Sequence, residues 1–331
     1  LIPEIGITLR IHKATQPATN RMQQFTIKDV ERLSGVKAHT LRVWEQRYGL
    51  VVPYRKDSNH RLYSNEDLKA ILRVVYLYNN GYKISKIAHL RQQELIEFIQ
   101  QNTTGVSAHE VAMLQLLEAC IDFDEIQFDA VFAQTERTLG FSYSIEQVIY
   151  PFLQRIGMLW MSDKLMPAQE HFASNLVRKK LLAAIESLPR ALPRPGKPVI
   201  LLFTPEGEYH ELPLLFTKYL YQKNGIATIY FGAHIPVECL LQYTGKQYAS
   251  HLHFHLITNF GQADHDTYLQ YLCRSFPAQT IISSGPLNEY VKQVPANGRL
   301  INSLPELYSF INSLVYQENA DQDYLNQANQ N

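Results

Sequence analysis

The stretch that decides the first fold assignment is Thr40–Leu50, TLRVWEQRYGL, read together with His60–Leu68, HRLYSNEDL. In the first, Leu41, Trp44 and Tyr48 recur at helical spacing and share one face. His39, Thr40, Arg42, Glu45, Gln46 and Arg47 fall elsewhere, giving a second face rich in groups that meet phosphates and base edges. Toward the N-terminus, Thr26 is placed to cap a short helix, with Asp29 in its electropositive first turn. Ile27, Val30 and Leu33 mark the buried face of that helix, and Gly35 supplies a tight turn before a second helix opens near Ala38. Two short helices joined by a glycine turn read as a helix-turn-helix. Toward the C-terminus, the KDSN cluster at Lys56–Asn59 lies between strand-type residues and reads as a hairpin or wing. Tyr54, Arg55, Lys56, Arg61 and Tyr63 gather around it, cationic and phenolic groups suited to phosphate oxygens. Leu68, Ile71, Leu72, Val75 and Leu77 then resume helical spacing up to Gly81, and KISKIAHL adds one further short helix.

Charge agrees with that reading. The chain has 331 residues and a net charge of zero, yet Met22–Arg91 carries 13 Lys and Arg against 6 Asp and Glu. Residues 92–331 carry 15 basic and 24 acidic side chains. A basic block joined to an acidic remainder suits a nucleic-acid module attached to a body that avoids nucleic acid.

The segments TLRVWEQRYGL and HRLYSNEDL, in this order and spacing, resemble the recognition helix and wing-to-helix segment of the MerR family. The resemblance spans about seventy residues. It implies that Arg42, Tyr48, Arg55, Arg61 and Tyr63 contact duplex promoter or operator DNA. With the polar groups around them, His39, Thr40, Arg47 and Lys56 complete the expected interface, while Leu41 and Trp44 are core. The long dimerising helix and cysteine metal loop of many MerR relatives have no counterpart here.

Beyond Leu90 several helical periods follow: RQQELIEFIQQ, EVAMLQLLEACIDF, DEIQFDAVFAQTERTLG, SIEQVIYPFLQRIGMLWMSD and AQEHFASNLVRKKLLAAIESL. They imply a helical bundle closed by the proline-rich linker LPRALPRPGKP. The period then changes. Val199–Phe203 is a continuous apolar run of buried-strand type; the helix LPLLFTKYLYQKNG and the strand candidates ATIYFG, HLHFHLITNF and QTIISSG follow, with YLQYLCRSF helical among them. This alternation implies a doubly wound, Rossmann-like α/β domain that binds ligands beyond the carboxyl ends of its strands. The expected plan is a leader at 1–21 with Met22 a plausible start, a winged helix-turn-helix at 22–93, a bundle at 94–192, an α/β domain at 197–318 and a polar tail at 319–331.

Two motifs connect the later parts. The bundle holds Trp160 and, nine residues beyond it, Glu170-His171; the loop after the first α/β strand holds Glu208-Tyr209-His210. Each alone is weak, since a loop histidine is more often a surface group and a helical tryptophan is more often core. Behind a MerR-like module, the whole order resembles the cobalamin-binding, light-responsive MerR-like regulators of CarH/LitR type, from Met22 to about Val315. That resemblance implies a cobalamin cofactor, adenosylcobalamin or a relative, with His210 as the lower axial ligand of cobalt and Glu208 as its polar partner. Trp160, Glu170 and His171 would line the upper face, and Thr258, Ser284 and Gly285 would stand in for the residues that meet the nucleotide tail.

Three departures qualify the resemblance. Pro213 occupies the position of the family's glycine after E-x-H-x-x, a ring where backbone is expected to approach the tail. The other reading is that Pro213 takes the first turn of a helix, where proline is tolerated. The expected glycine pair survives as Ser284-Gly285-Pro286, and Met161 replaces the histidine that follows the tryptophan in light-responding members. Two readings stay open: cobalamin held in an altered way, or a scaffold that has lost it and serves oligomerisation or partner binding. A corrinoid methyl carrier is a third, and the basic N-terminal module argues against it.

No catalytic triad spacing, zinc motif or P-loop points to an enzyme. His251, His253 and His255 alternate and share one strand face; a metal site there is conceivable, an imidazole row the commoner case. Cys120, Cys239 and Cys273 are far apart with no CxxC, which suits a reducing, cytoplasmic compartment, and no apolar run is long enough to span a membrane. Because one helix-turn-helix reads only a half-site, a homo-oligomer, dimer or tetramer, is expected.

Overall fold

The computed structural model describes residues 25–55, 61–101, 106–161, 167–194, 196–257 and 265–315. The expected leader and polar tail, with Lys56 and Thr258, lie outside the described residues. The chain forms two compact units, one of residues 1–131 with 154–166 and the other of residues 132–153 with 167–331.

In the first unit, β1 (Phe25–Thr26) leads into α1 (Ile27–Ser34) and α2 (Ala38–Tyr48). Thr26 and Asp29 form a reciprocal capping box: Thr26 N–H donates to Asp29 Oδ2 at 2.6 Å and Asp29 N–H to Thr26 Oγ1 at 3.4 Å. Gly35 closes α1 at φ +76°, a left-handed conformation that explains glycine at the turn. Next come β2 (Tyr54–Arg55), β3 (Arg61–Tyr63) and α3 (Asn65–Asn79). The strands form an antiparallel sheet in the order β1-β3-β2, with Tyr54 opposite Leu62 and Arg55 opposite Arg61. Ser64 and Asp67 box the start of α3 as Thr26 and Asp29 box α1. Val30, Leu41, Trp44, Tyr63, Leu68 and Leu77 form the buried centre. Short helices α4 (Ile84–Ile87) and α5 (Gln92–Gln101) complete the winged module.

The helices expected as one bundle divide between the two units. Of these, α6 (Val106–Asp122) belongs to the first, and α7 (Glu125–Leu139) and α9 (Tyr150–Met161) run from one unit into the other. A physical reason for placing α6 is visible in its charges. Arg73 Nη2 of α3 donates to Glu118 Oε2 of α6 at 2.8 Å, both side chains buried, and Lys69 Nζ donates to Asp122 Oδ2 at 2.6 Å. Burial raises the pKa of Glu118, and the Arg73 guanidinium opposes that rise.

The second unit opens with α8 (Phe141–Ser144) and a π-helical turn (Ile145–Ile149), and contains α10 (Pro167–Ser187). Its sheet has five parallel strands, β4 (Val199–Pro205), β5 (Ala227–Ile235), β6 (His251–His255), β7 (Thr280–Ser284) and β8 (Gly298–Ile301), in the order β5-β4-β6-β7-β8. The sequence reading found the first four strands and missed β8, whose GRLI is too short and polar to stand out. Helices α11 (Leu212–Lys223), α12 (Val237–Thr244) and α13 (His265–Ser275) connect the strands, and a helix α14 spans 304–315. Chain order and strand order reverse between β4 and β6, which makes their carboxyl ends the switch point where ligands enter such sheets. Alternation splits the sheet side chains. Leu201, Phe203, Leu252, Phe254 and Ile281 pack with Leu240 of α12 and with Leu269, Leu272 and Cys273 of α13. The opposite face carries His253, whose imidazole bonds to Tyr221 of α11. Helix α10 is tied to α11: Gln222 Nε2 donates to the carbonyls of Ile185 and Leu188 at 3.0 and 3.1 Å, and Arg178 Nε donates to Glu211 Oε1 at 2.6 Å. Among the described residues no helix is long and apolar enough to cross a membrane.

Candidate functional site

In the first unit the exposed residues of α2 are His39, Arg42, Val43, Gln46 and Arg47. His39, Arg42, Val43 and Gln46 stand at i, i+3, i+4 and i+7, a single stripe opposite the buried Leu41 and Trp44. A solvent-facing helix stripe carrying an imidazole, a guanidinium and an amide has the chemistry to read the major groove. Thr40 is half-buried beside His39, at 3.2 Å between its hydroxyl and the ring. Arg47 lies over the ring of the half-buried Tyr48, 5.5 Å from its centroid. The side chain of Arg55 and all of Lys56 lie outside the described residues. Exposed Tyr54 joins the wing.

Two expected contacts turn inward instead. Tyr63 is fully buried and its hydroxyl donates to Glu45, so in this conformation it cannot meet a phosphate. Arg61 Nε donates to the other Glu45 oxygen at 2.9 Å, with only 19% of its side chain exposed. The cause is Glu45, which leaves the polar face assigned to it by spacing and pins the wing to α2 from within. Desolvation and the Glu45 carboxylate together push the Tyr63 hydroxyl well above its ordinary pKa. Val43 is the residue of this surface that spacing alone did not put forward.

The second candidate site is the loop after β4, at the switch point. Glu208 is fully buried, and its carboxylate joins two segments. Oε1 accepts the His210 backbone N–H at 2.9 Å and lies 2.6 Å from His210 Nδ1, while Oε2 accepts the N–H of Ile257, just past β6, at 2.9 Å. The His210 side chain is 54% exposed. In the neutral ring Nδ1 is therefore the protonated nitrogen, held by the carboxylate, and Nε2 carries the lone pair. The Glu208 hydrogen bond raises the pKa of His210, burial opposes it, and the Glu208 and Glu170 charges add to the rise. Glu170 of α10 is thus close to His210, and His171 Nδ1 lies 3.0 Å from Glu170 Oε2. Trp160 is the penultimate residue of α9, and its side chain lies outside the described residues, as does that of Met161. Pro213 sits in the first turn of α11, which settles its local role: it starts the helix.

The loop is stapled from β5 by a residue that carries no sequence signal. His234 adopts φ +59°, rare for a side chain other than glycine. Its Nδ1 accepts the Gly207 N–H at 2.8 Å, its own N–H donates to the Glu208 carbonyl at 3.1 Å, and its ring stacks on Tyr209.

The residues expected at the nucleotide tail are committed elsewhere. Ser284 Oγ lies 3.0 Å from His253 Nε2 and 2.9 Å from His255 Nδ1, and His253 Nδ1 lies 2.9 Å from the Tyr221 hydroxyl. A Cβ built on Gly285 would come within 2.0 Å of the Leu256 carbonyl oxygen, so this glycine serves the contact between the ends of β6 and β7. Burial lowers the pKa of His251 to about 4, of His253 to about 3 and of His255 to about 4, keeping the row neutral. No group of three or more His, Cys, Asp or Glu side chains among the described residues could hold a metal ion, so the row is a structural feature of the sheet face. As a donor for a cobalt centre, His210 fits: a half-exposed imidazole backed by a buried carboxylate. As a channel for a tail, the Ser284 region is closed.

Comparison with known proteins matches two segments of the chain. Residues 25–94 match the MerR HTH family regulatory protein, and residues 114–184 match the B12 binding domain. The chain is 28% identical over 223 residues to the HTH-type transcriptional repressor CarH of Myxococcus xanthus, covering 65% of this chain and 73% of that one. It is 29% identical over 217 residues to the HTH-type transcriptional repressor CarA of the same organism, covering 65% and 70%. To the HTH-type transcriptional regulator MlrA of Escherichia coli it is 36% identical over 76 residues, 23% of this chain and 31% of that one. The chain thus carries a MerR-type helix-turn-helix module ahead of a B12-binding domain, the plan of a MerR-type transcription regulator, and is similar to CarH and CarA.

Proposed function

We propose that this cytoplasmic regulator reads duplex promoter DNA through the exposed stripe of α2 and the wing, as a homo-oligomer, and that a cobalamin bound at His210 controls it. The observation that carries the control half is the His210–Glu208 pair, a half-exposed imidazole held through Nδ1 by a buried carboxylate in the loop at the switch point. When bound, the corrinoid would supply a cobalt centre able to accept an imidazole donor. The chain's own contribution is to hold and orient: His210 as lower donor, Glu208 as the group that aims it, and Glu170 and His171 as a polar wall near it. Pairing of copies follows from the reach of one helix-turn-helix, which covers only a half-site.

The test is titration of the full chain with hydroxocobalamin, followed by visible absorbance, with gel filtration and DNA mobility shift of the same samples. Expected are a shifted corrinoid spectrum that His210→Ala removes, and a change in oligomer or DNA affinity on loading. A spectrum indifferent to His210→Ala refutes the ligand assignment. A second reading, a regulator indifferent to cobalamin, is favoured by the committed hydroxyl of Ser284. It requires equal DNA affinity and oligomer size with and without the corrinoid.

A further inference from the structure

A cobalamin whose lower position is taken by a protein imidazole has lost its own base from cobalt, and that base still hangs from the ring on its nucleotide tail. The tail then passes into the protein or stays outside it. In this unit both layers flanking the sheet beneath His210 are filled. On one face Leu201, Phe203, Leu252 and Phe254 close against α12 and α13, all fully buried. On the other a continuous hydrogen-bonded chain runs from Tyr221 through His253 and Ser284 to His255. Tyr221 and His253 are fully buried. Each link joins a hydroxyl to an imidazole nitrogen, so every member is satisfied whichever way the donors run along the chain. Its outer end, His255, lies near enough to Glu208 and His210 to feel both charges. The strand ends above it are sealed as well, Leu256 N–H donating to the Ser284 carbonyl at 3.0 Å.

We propose that the unit takes a corrinoid by its ring alone, and that the Tyr221–His253–Ser284–His255 chain is the specificity element that keeps the nucleotide tail out. The ligand class is then corrinoids irrespective of their lower nucleotide, including those without one. Opening the layer means breaking several buried hydrogen bonds at once, each leaving an unsatisfied polar group. A nucleotide-free corrinoid also escapes the cost of detaching its own base.

This inference rests on His210 being the cobalt donor, and the experiment separates the two. The full chain is titrated in parallel with hydroxocobalamin and with diaquocobinamide, which lacks the nucleotide, and affinities are read from the visible spectra. Expected is a cobinamide Kd equal to that of cobalamin within threefold, or lower, with His210→Ala weakening both alike. Cobalamin binding more than threefold tighter than cobinamide overturns the inference and leaves the His210 assignment standing. Failure of both corrinoids to bind overturns the His210 assignment, and this inference with it. As a second arm, His253→Ala combined with Tyr221→Ala empties the layer and is expected to shift the ratio at least tenfold toward cobalamin. An unchanged ratio in a folded double variant overturns the assignment to these residues, and if that variant does not fold, the ratio in the unmodified chain decides.

Discussion

Acidification is the perturbation to which the second unit is most exposed. His251, His253 and His255 are neutral in the folded chain, their pKa values lowered by burial to about 4, 3 and 4. In the unfolded chain each returns to about 6.5. Below that value the unfolded state binds protons that the folded state refuses, so stability falls as pH falls, from about 6.5 down toward the folded values. Between pH 7 and pH 5 each histidine removes about 2 kcal/mol, at about 1.4 kcal/mol per fully developed pH unit. Three together reach about 5 kcal/mol, an upper figure because neighbouring charges in the unfolded chain repel. His210 works the other way, since its raised pKa adds stability below the ordinary histidine range that is lost as pH rises through the folded value. The exposed ring makes this the smaller effect. The assay is urea unfolding at pH 7, 6 and 5, alongside NMR titration of the histidine rings, each assigned by a His→Gln variant. Expected is a midpoint that falls steeply below pH 6.5, with three rings still neutral at pH 5 in the folded protein. Three ordinary titrations near pH 6.5, or a stability change below about 0.5 kcal/mol, would refute the burial argument.

Four other outcomes follow from the same geometry. Arg42→Ala is expected to weaken binding to duplex DNA and, if its contact is a phosphate, to reduce the salt slope by about 1; Tyr63→Phe should lower stability by about 1 kcal/mol and leave that slope unchanged. Gly285→Ala places a methyl group within 2.0 Å of the Leu256 carbonyl oxygen at φ +114°, so unfolding titrations should show a loss of about 3 kcal/mol or more, φ strain alone giving about 1–3. The Arg73–Glu118 pair is buried, with Arg73 Nη1 and Glu118 Oε1 each lacking a hydrogen-bond partner among the described residues. Arg73→Met alone should cost about 3–5 kcal/mol, and adding Glu118→Leu should restore most of it; a double variant as unstable as the single one would contradict this.

The sequence by itself determined most of the elements and their order. Helix periods, the Thr26 cap, Gly35 and the apolar run Val199–Phe203 are local signals, governed by backbone geometry within a few residues, and the structure places an element at each. It also put forward His210 with Glu208, because two residues on one loop are near each other in any fold. What lay beyond it were the pairings between distant segments. Spacing put Glu45 on the solvent face of α2, and tertiary packing drew it to Arg61 and Tyr63, sixteen and eighteen residues away, turning two expected DNA contacts into supports. His234 carried no signal, since a left-handed backbone at a histidine is set by what it must reach. The HLHFHL alternation showed that three imidazoles share a strand face, but only the docking of α11 supplied Tyr221 and the neutral environment that makes them a filled layer. Division of the expected bundle between two units was likewise decided by long-range partners, Glu118 finding Arg73 and Gln222 finding the end of α10. Local periodicity fixes where a side chain points along its own element; which group it then meets depends on the free energy of burying both together, and that is a property of the packed chain.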